Sequence, residues 1–224
     1  MKRRPTRELL DDDQGTPAEV AGSLRDLRWF NRWFGGIATT RRLFETASRV
    51  TGRTCFSVLE VGSGDGFLVQ TVAAEVGRSG LQLEVTLLDR AASHLPANGL
   101  MRKVAGDALC LPFRDSSFDL VSCSLFLHHL SPQQAVAFAR QALRVSRIGV
   151  LVHDLVRHPV HLAFAYAGVP LYRSRITRHD APASVWQAYT ADEVAGYFRE
   201  AGALDVQVQC QYFYRMGVFA RRIS

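Results

Sequence analysis

Apolar residues are arranged along the chain in two alternating ways, and the alternation predicts the architecture. Short apolar runs bounded by turn residues read as buried strands: 55–61, 83–88 closing on Asp89, 101–105, a run ending at 124–127, 148–152, and finally 206–208 and 212–220. Between them apolar residues recur at helical spacing, at Leu68, Val72 and Val76, at Val136, Ala139 and Leu143, and at Val194, Tyr197 and Phe198. Ser131-Pro132 and Thr190 with Glu193 supply N-terminal signals for the last two of these helices. Strands that alternate with helices predict an open α/β sheet.

Three segments stand outside this alternation. Residues 1–17 are polar, carry Asp11-Asp12-Asp13, and read as a loosely held tail. Over 18–34 the row Val20, Leu24, Leu27, Phe30 or Asn31, and Phe34 predicts an amphipathic helix that Gly35-Gly36 ends, and a further helix is expected over 39–50. The aromatic end of the first helix, Trp29, Phe30, Trp33 and Phe34, either packs on the domain or forms a lid over an apolar pocket. The segment 155–188 is too long for an ordinary connection and too apolar for disorder, so it reads as a cap on the substrate side. The expected organisation is a tail over 1–17, helices over 18–50, and a body over 51–224 that carries the cap.

The body is organised around one stretch, Val58-Leu59-Glu60-Val61-Gly62-Ser63-Gly64-Asp65-Gly66-Phe67. Its glycines let a strand turn tightly into a helix, whose free N–H groups and positive end favour an anionic group. A dinucleotide fingerprint places its third glycine where Phe67 stands, which argues against NAD. Taken alone, the loop is also compatible with an ordinary strand-to-helix turn. An acid at the end of the second strand, Asp89, is placed to accept hydrogen bonds from a ribose.

Composition narrows the picture. With 47% apolar and 21% charged residues the chain is a soluble globular type, and no apolar run approaches the length of a membrane span. The charged opening lacks a signal-peptide core, so a cytoplasmic location is expected. Four scattered cysteines without a C-x-x-C pair read as buried thiols, and His, Asp and Cys show no metal-ligand spacing. The net charge of +6 is diffuse and densest over 157–179, which fits a solvated or substrate-facing surface better than a nucleic-acid site.

The loop, Asp89, Gly106-Asp107 and the run Leu111-Pro112-Phe113-Arg114-Asp115-Ser116-Ser117-Phe118-Asp119 together resemble class I S-adenosylmethionine (SAM)-dependent methyltransferases. The similarity is to the small-molecule enzymes of the ubiquinone and menaquinone biosynthesis type, and it covers roughly residues 55–155. It implies a Rossmann-like, mostly parallel sheet of seven strands with helices on both faces, an antiparallel C-terminal hairpin and an N-terminal helical lid. It also implies SAM as the cofactor, held by Glu60, Gly62, Ser63, Gly64, Gly66, Asp89, Arg90, Gly106, Asp107, Ala108 and Ser124. Asp107 in such enzymes meets the adenine, although at this position it can equally be a turn-former. Where base-modifying relatives carry an N/D-P-P-Y/F signature, this chain has Ser124-Leu125-Phe126-Leu127.

The expected activity is methyl transfer to a small lipophilic acceptor, at a phenolic or enolic oxygen of a polyketide-like or quinone-like compound, by a monomer or homodimer. The alternatives are an RNA or protein methyltransferase that uses the basic insert, and a non-catalytic SAM-binding domain. A phenol titrates near 10, so a neighbouring base would assist. His153 and His129, near strand ends, are the candidates, with Asp154 to orient His153, bind substrate or cap the following segment, although adjacent strand-end side chains diverge. Each histidine can instead be a structural residue bonded to the backbone, which is also the reading for His128.

Overall fold

The structure, a computed structural model, describes residues 1–10, 15–90, 92, 95–96 and 101–222. Asp11-Asp12-Asp13 lies outside them. The elements run α1 (Pro17–Trp33), α2 (Gly36–Thr51), β1 (Cys55–Val61), α3 (Phe67–Gly77), β2 (Gln82–Asp89), β3 (Arg102–Ala105), β4 (Phe118–Ser124), α4 (Pro132–Val145), β5 (Ser146–Leu155), α5 (Pro159–Gly168), α6 (Arg175–Gln187), α7 (Ala191–Glu200), β6 (Asp205–Gln211) and β7 (Arg215–Arg221). The strands form one sheet in the order β3-β2-β1-β4-β5-β7-β6. β1 to β5 pair in parallel, and β7 runs against both β5 and β6. This is the seven-stranded α/β fold expected from the strand-and-helix alternation.

Side-chain alternation along the strands splits the core in two. Leu59, Val61, Val121, Cys123, Val150 and Val152 pack under α4 and α7 with Phe138, Ala139, Val194 and Phe198. Phe56, Val58, Val85, Leu87, Leu120 and Leu151 face α2 and α3, against Phe44, Ala47, Val69 and Val72. The N-cap signals of α4 and α7 form as predicted: Thr190 with Glu193 makes the reciprocal capping box, and Ser131, read as an N-cap before Pro132, also makes one with Gln134.

Asp119, at the start of β4, accepts the Ser57 N–H and hydroxyl, each at 2.9 Å, and the Arg53 guanidinium at 2.9 Å. It ties the entry of β4 to β1. Replacing it with alanine leaves a buried strand N–H without its acceptor and is expected to cost about 1.5 to 3 kcal/mol of stability. The measurement is the urea midpoint at unchanged slope; a shift worth less than about 0.5 kcal/mol would show that water replaces the carboxylate freely.

Three expectations need correction. Residues 1–10 are not a loose tail. Arg3 donates to the carbonyl oxygens of Gln187, His128 and Leu130, Asp180 accepts the N–H groups of Leu9 and Leu10, and Glu8 is buried. The polar composition that suggested disorder is used in long-range hydrogen bonds. In α1, the buried residues are Gly22, Ser23, Asp26 and Asn31, while Leu24, Leu27, Phe30 and Phe34 are only half-buried. The polar face docks on α6, through Asp26 to the N–H groups of Arg173 and Ser174 and through Ser23 to Thr177. The cysteines also differ from expectation: Cys55, Cys110 and Cys210 are exposed and only Cys123 is buried. Among the described residues no helix is long and apolar enough to cross a membrane.

Candidate active site

Strand order reverses between β1 and β4, and in open α/β sheets ligands bind in the crevice beyond such strand ends. The turn between β1 and α3 lies there. Gly62, Gly64 and Gly66 all have positive φ, 65°, 50° and 69°. A Cβ on Gly62 would come within 2.5 Å of the Phe126 ring, whereas one on Gly64 would meet nothing within 4 Å. The loop is therefore packed from below at Gly62 and open at Gly64. Asp89 accepts the Gly64 N–H at 2.9 Å, so the acid at the end of β2 also shapes the loop. Arg28 of α1 reaches over to Asp65 at 2.6 Å and places α1 above the loop.

The other predicted cofactor residues divide. Gly106 donates its N–H to the Asp89 carbonyl oxygen, which brings the end of β3 beside β2. The Asp107 side chain accepts the Leu109 N–H at 2.8 Å, the turn-forming role. Ala108 packs into the core beneath α4, and Arg90 lines a cavity with the N-terminal segment. Ser63 has a buried hydroxyl without a hydrogen-bond partner among the described residues.

On the side of the sheet facing α2, the strand ends carry polar residues in a row: Glu60 on β1, Ser122 and Ser124 on β4, His153 on β5 and Arg215 on β7. The strand pairings Glu60 with Ser122, Ser124 with His153, and His153 with Gly217 put them side by side. Burial pushes the Glu60 carboxyl up to about 7, although the hydroxyls of Ser122 and Ser124 hydrogen-bond to it. His153 is buried, and neither ring nitrogen has a partner among the described residues. Burial, reinforced by the Arg215 guanidinium, pushes its pKa down to about 3, so its imidazole is neutral. Burial likewise lowers Arg215 to about 10; its Nε donates to the Phe34 carbonyl oxygen and one terminal nitrogen has no partner among the described residues. The oxygens Asn31 Oδ1 and Thr39 Oγ1, from α1 and α2, are buried without partners too. Buried polar atoms are almost always hydrogen-bonded, and such exceptions cluster at functional sites.

Rings roof this row. Phe30 meets Tyr172 edge-on at 5.3 Å, Phe34 meets Phe213 at 4.9 Å, and Phe164 of α5 meets Phe213 at 5.1 Å. The aromatic end of α1 and the cap thus come together through the β6–β7 turn. Sequence reasoning missed that turn, although its run Tyr212-Phe213-Tyr214 was a signal. Phe213 and Tyr214 hold φ of 60° and 57°, a strained geometry for large residues, as does Leu125 at 55° just beyond β4.

Asp154 does not join His153. Successive strand residues point to opposite faces, and Asp154 accepts from His128 instead, with Nδ1 2.6 Å from Oδ1 and the backbone N–H 3.1 Å from Oδ2. The far nitrogen of His128 lies 3.6 Å from Glu8. Burial opposes charge on all three, yet the two carboxylates raise His128 to about 10, and His128 in turn holds Glu8 down at about 2 and Asp154 below the usual carboxylate range. His129 stacks on His128 at 4.1 Å and lines a cavity with Arg3, Glu8 and Arg90. The two predicted catalytic histidines are therefore not brought to one point.

A glycine loop with an acid at the next strand end, at the switch point of a 3-2-1-4-5-7-6 sheet, defines an α/β fold with a cofactor crevice. Residues 58–149 match the family described as methyltransferase domain. The chain is 34% identical over 171 residues to a demethylmenaquinone methyltransferase of Roseiflexus castenholzii, covering 68% of this chain and 70% of that one. Among solved structures, the plantazolicin methyltransferase BpumL in complex with SAH superposes with a TM-score of 0.70 at 12% identity, covering 96% of this chain and 95% of that one. The SAM-dependent methyltransferase SibL gives 0.67 at 19% identity, covering 98% of this chain and 63% of the longer SibL chain. The chain belongs to the class I SAM-dependent methyltransferases and is an enzyme of that family. SAM is its cofactor, and the residues present fit it: three left-handed glycines, an open approach at Gly64 and a free Ser63 hydroxyl at the helix entry.

Proposed function

We propose that the enzyme methylates a hydroxyl of a small, lipophilic aromatic acceptor, phenolic or enolic, with a quinone-like or polyketide-like skeleton. The observation that carries this is His153, a buried neutral imidazole whose two ring nitrogens have no partner among the described residues, at the end of β5, two strands along the sheet from the glycine loop. Pockets for such ligands are mainly apolar with a few convergent polar groups. The relative from Roseiflexus castenholzii, named for demethylmenaquinone, supports a ring acceptor of this class.

SAM supplies an electrophilic methyl group. Glu60, Gly62, Ser63, Gly64, Asp89 and Ser124 hold and orient it, and the helices over 18–50 with the cap over 155–188 form the lid that keeps water out. His153 accepts a hydrogen bond from the acceptor hydroxyl. An imidazole titrating near 3 cannot strip a free phenol, which titrates near 10. As the oxygen–methyl bond would form and the sulfur–methyl bond break, with SAH as the leaving group, the hydroxyl proton would become far more acidic than an imidazolium, and His153 would be a competent acceptor for it. The proton moves late, with the methyl.

Most of the basic side chains of the insert are engaged by neighbouring groups of this chain, although Arg175 and Arg178 remain exposed. Arg157 donates to the Ala188 carbonyl oxygen and pairs with Glu193, Arg175 pairs with Glu19, and Arg178 donates to the Tyr172 carbonyl oxygen.

The test is SAH formation from SAM with a panel of phenols, hydroquinones and enols, followed by the His153→Ala variant on the acceptor found. Turnover is expected to fall roughly 10- to 100-fold, the low end of general-base effects, with SAM affinity within about twofold of wild type. Unchanged turnover in the variant would remove His153 from the reaction. Turnover only with RNA or a protein would replace the proposed acceptor class.

A further inference from the structure

We propose that Glu8, His128 and His129 form a binding site for one divalent transition-metal ion of the zinc class. One potential ligand atom from each of the three lies within 4.8 Å of those of the other two. Two imidazoles and one carboxylate are a donor set that zinc takes in sites with an open fourth position. Bonds of about 2.0 to 2.1 Å in a tetrahedron place ligand atoms about 3.3 Å apart. The 3.6 Å between Glu8 Oε1 and His128 Nε2 is already close to that, and small side-chain rotations close the rest.

The surroundings hold the ligands as metal sites do. His128 directs Nδ1 to the buried Asp154 carboxylate, at 2.6 Å, which leaves Nε2 facing Glu8. A carboxylate behind a histidine is the common device for fixing the ring and raising its basicity toward a metal. Glu8 is held in turn by the Ser184 hydroxyl and the Gln187 amide, each 2.6 Å from Oε1. The His128 and His129 rings are consecutive on a 3-10 turn, Leu127–His129, yet they stack 4.1 Å apart with 33° between their planes, so both reach the same carboxylate. The site opens on a cavity of about 390 Å³ that Glu8 and His129 line, with room for an exogenous ligand. Arg7 and Arg90 line the same cavity, and their charge favours an anion as that fourth ligand.

The full-length protein, treated with chelator and returned to neutral pH, is titrated with Zn²⁺ by calorimetry and with Co²⁺ by visible absorption. One equivalent is expected to bind with micromolar or tighter affinity, with the intense visible bands of low-coordinate cobalt and a raised melting temperature. Glu8→Gln and His129→Ala should each weaken binding at least tenfold while SAM still binds. His129→Ala keeps the test open if the Glu8 variant does not fold, because His129 is only half-buried. Absence of a stoichiometric ion would overturn the proposal, as would equal affinity in both variants, which would place the ion elsewhere.

Discussion

Gly62→Ala is expected to lose SAM affinity by roughly two to three orders of magnitude, with Gly64→Ala close to wild type in fold. Both glycines are left-handed, at φ of 65° and 50°, so each alanine carries the backbone cost of about 1 to 2 kcal/mol. Only at Gly62 does the added carbon also run into something, Phe126 Cδ2 at 2.5 Å, with the rest of that ring close behind. Overpacking of this kind costs about 1 to 3 kcal/mol more. Phe126 follows Leu125, itself in the left-handed region and bonded through its N–H to the His153 carbonyl oxygen, so it has little freedom to yield. The strain therefore passes to the loop, whose N–H groups must face the cofactor. Calorimetry with SAM on both variants, alongside melting curves, checks this. Equal affinity in Gly62→Ala and wild type would mean that the loop is not the cofactor cradle.

The second large effect is a pH dependence of SAM binding. Glu60 is buried at the end of β1, and burial raises its pKa from 4.5 to about 7. Because the folded value lies above the unfolded one, the folded protein binds more protons between pH 4.5 and 7. Its contribution to stability is complete below that window and is lost as pH rises through it. SAM brings a positive sulfonium and ammonium to the adjacent loop and favours the carboxylate. Binding below pH 7 therefore expels a proton, and affinity should rise by up to about tenfold per pH unit between roughly 5.5 and 7, then level off. Proton release is read from binding heats in buffers of different ionisation enthalpy. Glu60→Gln should be flat across the range. A flat wild-type profile would place Glu60 too far from the cofactor's charge to matter.

Local features carried most of the fold into the sequence. The strand bounds of β1, the glycine loop, the acid at the end of β2 and the N-caps Ser131 and Thr190 are each set by residues close together in the chain, and all are found as predicted. What was illegible is set by long-range contacts. Asp154 was matched with its neighbour His153, but strand parity sends it to His128 on the other face. Glu8 sits in a polar stretch with no periodicity, and only the arrival of α6 and the turn after β4 buries it. The apolar row on α1 was read as its buried face because periodicity reports which residues avoid water, and a row that faces a ligand pocket has the same spacing as one that faces a core. His129 and His153 were grouped because both lie near strand ends; the 3-10 turn after β4 carries His129 to the cavity that Glu8 lines, while His153 stays in β5 on the side of the sheet that faces α2.

The strand order has a consequence for how the protein is made. β6 touches the sheet only through β7, which follows it in the chain and inserts between β5 and β6. Until residues 215–221 emerge, β5 ends the sheet as an open parallel edge, and β6 has no neighbour to pair with. Arg215 and Gly217, which complete the polar row beside His153, arrive at that same moment. The nascent chain can therefore assemble the glycine loop early, from β1, β2 and β4, while the polar row beside His153 waits for residues 215–221. During that interval the exposed edge of β5, with its apolar run from 149 to 152, is the segment most open to mispairing with other chains.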